Sequence, residues 1–377
     1  MRRSHWPVLI MVIFLPLLLR AQLDRIVIPA GTPEDQALQA ISNEQDGQKK
    51  LAMYEDFVQK FSSNPAAVAY GNWQISQYYQ NAGDLQKALD YGDKALASSP
   101  HNLDILVSQA GIAQQMKNNS KLMDYSVRGG EAYNSISKQA KPEGLSDQDF
   151  ATRIEEEKNS GKSSYESLEA AAYNAIAGEN SAKTRMSYIE RFTPAFPKSR
   201  FEEQVTSYAM VSLSELKDTS RLISYGEKSL AVNPNSLPTL LLLANTYVED
   251  SKPGSMNKAV TYAQKAIAVA KADAPDADRS RKLSAGVAHY TLGYAYLKED
   301  KTVAAIPELK TASGLLKGQD DQYYAMTMFR LGWAYAKLNK VTEAREVLVE
   351  AVKIPGPVQQ PSQDLLAKVN AARAKGK

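Results

Sequence analysis

Apolar residues recur along this chain with a helical period, and short polar stretches separate one periodic run from the next. The pattern is sharpest between His289 and Ala351, where one frame is written twice. The first copy reads His289-x2-Leu292-Gly293-x2-Tyr296, then Ala305, Leu309 and Ala312. The second reads Met328-x2-Leu331-Gly332-x2-Tyr335, then Ala344, Leu348 and Ala351. Leu292 and Tyr296 stand four apart, which puts them on one helix face. Tyr296 to Ala305 and Tyr335 to Ala344 leave room to finish one helix, turn, and begin an antiparallel one. The paired alanines, seven apart, lay small residues along one packing seam. Gly293 and Gly332 remove a side chain where the two helices of a pair approach. The segments 298–301 and 337–340 are mostly polar and fill the turns.

This frame resembles the tetratricopeptide (TPR) repeat, whose Leu-Gly-x-x-Tyr helix is followed by a helix opening on alanine. His289 and Met328 stand where the family carries a tryptophan. The resemblance implies an all-α fold, a right-handed α-solenoid of antiparallel helix pairs stacked into a superhelix. It also implies a concave groove lined by the first helix of each pair. The residues it assigns to that groove are Tyr290, Tyr294 and Lys298, then Phe329, Trp333 and Lys337, with Tyr70, Trp73 and Gln77 as early equivalents. Aromatic rings with nearby ammonium groups suit an extended peptide or a helix, because they bury area at low entropic cost. The competing reading is that these rings pack between neighbouring first helices. The Asn and Arg residues with which peptide-tail-binding members of the family clamp a carboxylate are not evident.

The same frame, with weaker chemistry, orders the rest of the chain. After the first 21 residues, 22–62 form an extended lead-in, rich in Pro and Gly, and a capping helix pair broken near Asp46-Gly47. Met53, Phe57 and Phe61 recur there at helical spacing. Residues 63–136 hold TPR-like repeats: Ile75, Tyr79, Ala88 and Ala95 keep the frame, although Ser76 replaces the glycine. Residues 137–164 read as an insertion, a loop at Lys141-Pro142-Glu143-Gly144 and a short helix capped by Ser146. Degenerate repeats fill 165–272, with one pair ended by Pro194 and Pro197 and another containing Leu243-Ala244-x2-Tyr247. The two best repeats occupy 273–356, and 357–377 supply a lone amphipathic helix that covers the last apolar face. The total is about eight helix pairs and one helix.

Composition changes this picture at one end. The first 21 residues carry Arg2 and Arg3, then an apolar run from Pro7 to Leu19 too short to span a bilayer, then Leu19-Arg20-Ala21. That is the form of a cleaved export signal, and it predicts a periplasmic or secreted protein of a bacterial-type envelope with no membrane span once it is removed. Removal takes three of the 45 basic residues and none of the 42 acidic ones, so the mature chain is neutral. Its charge then gives no support to nucleic-acid binding. Cysteine is absent, which excludes disulfides, thiolate metal sites, a catalytic thiol and a lipid-anchored N-terminal cysteine.

Catalytic chemistry has little to stand on. The three histidines, His5, His101 and His289, are scattered, and His289 fills a bulky packing slot. Ser160-Gly161-Lys162-Ser163 imitates the end of a phosphate-binding loop, but Glu156 stands where the loop needs its first glycine. Glu155, Glu156 and Glu157 read as a solvated helix face. The expected function is a non-catalytic protein-interaction scaffold that takes a protein or peptide in its groove without a cofactor or metal. The alternative is a cell-envelope polysaccharide-binding protein using the groove aromatics, which requires them exposed and coplanar. Self-association through the C-terminal helix is a further expectation.

Overall fold

The computed structural model describes residues 25–375, so the expected export signal, residues 1–21, lies outside the described residues. Among the described residues there are 17 α-helices and no strand. They divide into two compact units, one ending at Arg200 and the other beginning at Phe201.

The first unit contains α1 (Pro33–Asn43), α2 (Gly47–Lys60), α3 (Pro65–Asn81), α4 (Leu85–Ser98), α5 (Leu103–Gln115), α6 (Asn119–Ser135), α7 (Asp147–Ala177) and α8 (Ala182–Ala195). Helix starts follow local chemistry. Thr32, Asp46, Asn64, Asp84, Asn102 and Asn118 each accept a backbone N–H of the turn they cap. Pro33 and Pro65 sit in the first turn, where a missing N–H costs nothing. Phe57, Phe61, Ile41 and Ala67 close a small core at the N-terminal end, with Met53 and Ile28 packed around it.

The second unit contains α9 (Glu202–Glu215), α10 (Thr219–Val232), α11 (Leu237–Glu249), α12 (Ser255–Ala270), α13 (Arg279–Lys298), α14 (Thr302–Leu316), α15 (Asp321–Lys337), α16 (Val341–Val352) and α17 (Gln359–Lys375). Each first helix packs on its second. In addition α11, α13, α15 and α17 pack successively on one another, whereas α12, α14 and α16 make no comparable contact. The first helices therefore form the inner layer of this unit. Its core runs through Ala305, Leu309, Ala312, Leu331, Ala344, Leu348 and Ala351, and α17 joins it through Val369, Leu365 and Leu366. Each unit is a stack of antiparallel helix pairs, the α-solenoid arrangement.

One turn design links the pairs. Gly83, Asp300 and Asn339 lie at the same place in the frame, and all adopt left-handed backbone, with φ of 82°, 66° and 57°. Lys117 and Lys217 do the same in the weaker repeats. In each case the next residue's N–H reaches back five positions: Asp84 to Tyr79, Lys301 to Tyr296 and Lys340 to Tyr335, at 2.8–2.9 Å. This is the Schellman closure, which satisfies orphan carbonyls at the helix end and starts the return helix at once.

The glycines of the frame act as expected. A Cβ on Gly293 would come within 2.7 Å of Leu309, and one on Gly332 within 2.6 Å of Leu348. Ser76, at the same position, is fully buried and donates its hydroxyl to the Ala88 carbonyl at 2.6 Å, so a small polar side chain fits by bonding across the pair.

Three local expectations need correction. Residues 147–164 are not a short helix in a loop: they are the first half of α7, one uninterrupted helix capped by Ser146. Glu155 and Glu156 are exposed, but Glu157 is buried and accepts from Gln139 Nε2 at 3.0 Å. Pro194 does not end α8, which runs one residue further to Ala195. A proline in the last turn forfeits a single helical bond, so the stop comes late.

Candidate functional site

The frame sets three rows of side chains on the inner layer of the second unit. Leu241 on α11, Tyr290 on α13 and Phe329 on α15 occupy one equivalent position. Asn245, Tyr294 and Trp333 occupy the next, four residues on, and Glu249, Lys298 and Lys337 the third. One helical turn separates the rows, so the nine residues tile a continuous face across three helices.

The rows differ in what they leave free. In the first, Tyr290 is packed at 7% exposure, edge-on to Tyr323 with its hydroxyl toward Met326 Sδ. Burial pushes its hydroxyl pKa above the ordinary tyrosine value. Leu241 and Phe329 are half-buried against the same core. The sequence places Tyr290 on the groove surface; the packed alternative describes it better.

The second row is the most open. Tyr294 is half-buried, and the Arg330 guanidinium stacks over its ring at 3.8 Å. Trp333 is 38% exposed, with the Lys337 ammonium 5.0 Å from its ring. On α11, Asn245 Oδ1 accepts from the Thr291 hydroxyl at 2.5 Å and so ties α13 to α11.

The third row is an ionic ladder. Lys298 donates to Glu249 at 2.7 Å and to the Val248 carbonyl at 2.8 Å. Burial opposes both charges, yet the pairing prevails: the lysine pKa is raised and the Glu249 pKa lowered. Lys337 pairs with Asp300 in the turn after α13. Lys298 and Lys337 are thus occupied by carboxylates of the protein itself. Arg330 stacks on the Tyr294 ring and faces that of Phe329, and its charge also reaches the Tyr290 hydroxyl and Glu249.

Sequence reasoning missed Arg330 and the whole α11 contribution. The signal was present: Leu243-Ala244-x2-Tyr247 keeps the frame, which places Leu241, Asn245 and Glu249 in register with the assigned residues. Beside that helix a cleft of about 1000 Å³ opens against α9 and the turn that follows it, lined among others by Leu216, Lys217, Asn245 and Glu249.

The early equivalents lie in the first unit. Tyr70 and Trp73 are half-buried and line a separate cleft of about 450 Å³ with Asn102, Leu103 and Asp104 of α5 and with Ser160, Gly161 and Ser164 of α7. Gln77, half-buried one turn further along α3, is not part of its wall. The Ser160–Ser163 stretch is mid-helix in α7 and not the loop that a phosphate-binding motif requires.

His289 is half-buried and pairs through Nδ1 with Glu308 Oε2 of α14 at 2.6 Å, which fastens its helix pair together. Among the described residues, no group of three or more His, Asp or Glu converges as a metal site would require. No helix of the described residues is long and apolar enough to cross a membrane.

Comparison with known proteins bears on the same helices. No curated protein matches the chain. Among solved structures it is similar to the crystal structure of the P58(IPK) TPR domain, with 12% identity, 92% of this chain and 99% of that chain covered, and a TM-score of 0.33. Residues 327–356 match the family model of the tetratricopeptide repeat. That match spans most of α15 and all of α16, and it includes Phe329, Arg330, Trp333 and Lys337.

Proposed function

We propose that the protein is an exported, non-catalytic scaffold that binds a helix or extended segment of a protein partner on its first-helix faces. Export rests on the charge and hydropathy of residues 1–21, which predict removal and a periplasmic or secreted mature chain. The reading involves no cofactor, and the neutral mature charge gives it no nucleic-acid component.

The single observation that carries the binding reading is the open middle row of the second unit. There Trp333 stands exposed beside Lys337, and Arg330 lies on the Tyr294 ring. An aromatic ring and a guanidinium in reach of one another are the side chains that dominate protein interfaces when a partner excludes water from them. The flanking rows are already paired, so they hold the face rigid and contribute little new contact. Binding energy on this reading concentrates on Tyr294, Arg330 and Trp333.

The polysaccharide alternative asks for a run of exposed, coplanar rings. Tyr290 is packed and Phe329 half-buried, which leaves Trp333 as the one ring of the nine-residue face more than a third exposed.

The test is a crosslinking pull-down of the full chain from its own envelope fraction, alongside Trp333→Ala, Tyr294→Ala and Arg330→Ala. Recovery of one protein that all three folded variants lose supports the reading and locates the face. Unchanged recovery in variants with native helicity sinks it.

A further inference from the structure

The chain's own lead-in forms one wall of the cleft on α3, α5 and α7 and so covers part of their surface. Residues 25–29 carry no helix, and Arg25, Ile26 and Val27 line the cleft together with Tyr70, Trp73, Leu103, Asp104, Ser160 and Ser164. Arg25 donates from its guanidinium to Ser160 Oγ at 2.8 Å, a contact between residues 135 apart in sequence. Exposure alternates along the segment. Ile26 and Ile28 are half-buried, while Val27 is 65% exposed, as in a strand laid against a surface.

Three features show that this segment fits only in part. The indole Nε1 of Trp73 is buried and has no acceptor. A donor left unpaired in the wall of a cleft is a place where a better ligand gains a hydrogen bond. Asp104 borders the cleft, exposed, with only the Ser164 hydroxyl at 3.4 Å, while Arg25 bonds a neutral serine instead. Val27 turns most of its surface to water. The first half of α7 is what makes the site, because it carries Ser160, the buried Gly161 and Ser164 to the far wall.

We propose that the surface of α3, α5 and α7 at this cleft is a binding site for an extended peptide with a basic residue followed by β-branched residues, and that Arg25–Val27 covers it in cis. A partner segment of that pattern enters by displacing the lead-in, pairs its cation with Asp104 and offers a backbone carbonyl to Trp73. The proposal rests on reading first-helix faces as binding faces, but it concerns the first unit alone. The pull-down on Trp333, Tyr294 and Arg330 is unaffected by its outcome.

Tethering gives the lead-in a high effective concentration, so it masks the site until it is weakened. The apparent affinity of a competitor then falls by the fraction of molecules with a free cleft. The experiment measures binding of a fluorescein-labelled peptide of residues 25–30, Arg-Ile-Val-Ile-Pro-Ala, to the full chain by anisotropy. The doubly substituted Arg25→Ala, Ile26→Ser chain is expected to bind at least tenfold more tightly than wild type. Adding Trp73→Ala to that background is expected to abolish the gain, and a probe with glutamate in place of arginine to bind at least tenfold more weakly.

Equal affinity of wild type and the double variant overturns the proposal. So does a double variant that dimerises with its cleft filled by a second copy and takes up no probe. A second readout leaves the lead-in otherwise intact: a photocrosslinker at the exposed position 27. It is expected to crosslink to α5 or α7 within one molecule and to lose that crosslink at saturating probe. A crosslink that persists at saturation also overturns the proposal.

Discussion

The helix pairs α13–α14 and α15–α16 differ from α3–α4 in how they treat one shared frame. In the former, a glycine lets a leucine of the second helix press against bare backbone. In the latter, Ser76 takes the same place and replaces intimate apolar contact with one buried hydrogen bond. The outer consequence differs as well. The inner layer of α11, α13 and α15 presents Trp333 outward, whereas Tyr70 and Trp73 of α3 line a cleft that the chain's own lead-in helps to wall. Two regions with one repeat grammar thus carry one open face and one partly walled by the lead-in. The grammar governs how helices pair; the residues outside it govern what a face is for.

The largest expected effect falls on the leucine of the strict frame. Leu348 is fully buried against Gly332, so Leu348→Ala should cost about 2–5 kcal/mol, read as a lower urea midpoint. Gly332→Ala overfills the same contact and should cost about 1–3 kcal/mol. Gly314→Ala, in a helix of the same unit with nothing within 4 Å of the added carbon, should instead gain about 0.5–1 kcal/mol. If both glycine variants shift stability alike, helix propensity and not close approach explains the glycines of the frame.

A smaller loss is expected from Ser76→Ala, about 0.5–1.5 kcal/mol for one neutral hydrogen bond, measured in the same titration. A loss as large as that of Leu348→Ala would mean the two solutions are not equivalent. Smallest of the substitutions, Lys117→Gly and Lys217→Gly relieve left-handed backbone at the Schellman turns and should each stabilise by about 0.5–1 kcal/mol.

Alkaline pH probes the packing of the first unit without a substitution. Burial pushes the Tyr54 and Tyr165 hydroxyls of the first unit up to about 12. A pKa raised in the folded state means the neutral form is favoured there. The associated stability is intact below the unfolded value near 10 and is lost as pH rises through 12. Tyrosinate absorbance should therefore lag in the folded chain and appear together with loss of helicity. Early ionisation of both tyrosines with helicity intact would contradict their burial.

Much of this was legible because the frame is local. The break at Asp46-Gly47, the cap at Ser146, the turns around Asp300 and Asn339, and the close approach at Gly293 depend on residues within one helix pair. Arg330 was not legible as a site residue, since its importance comes from Tyr294 on another helix. Glu157 read as solvated because its partner, Gln139, lies across a connection of no fixed pattern. The length of α7 was hidden by its polar first half, in which the apolar period is weak although the helix propensity is sufficient.

The sequence by itself determined that the chain is helical, that its helices come in antiparallel pairs, and where most of them turn, because periodicity, caps and left-handed positions act over a few residues. Only the tertiary structure decided which aromatics are packed and which are exposed, since burial depends on the neighbouring helix. It also decided that the lead-in lies against α3, α5 and α7, a contact spanning 135 residues that no local pattern encodes.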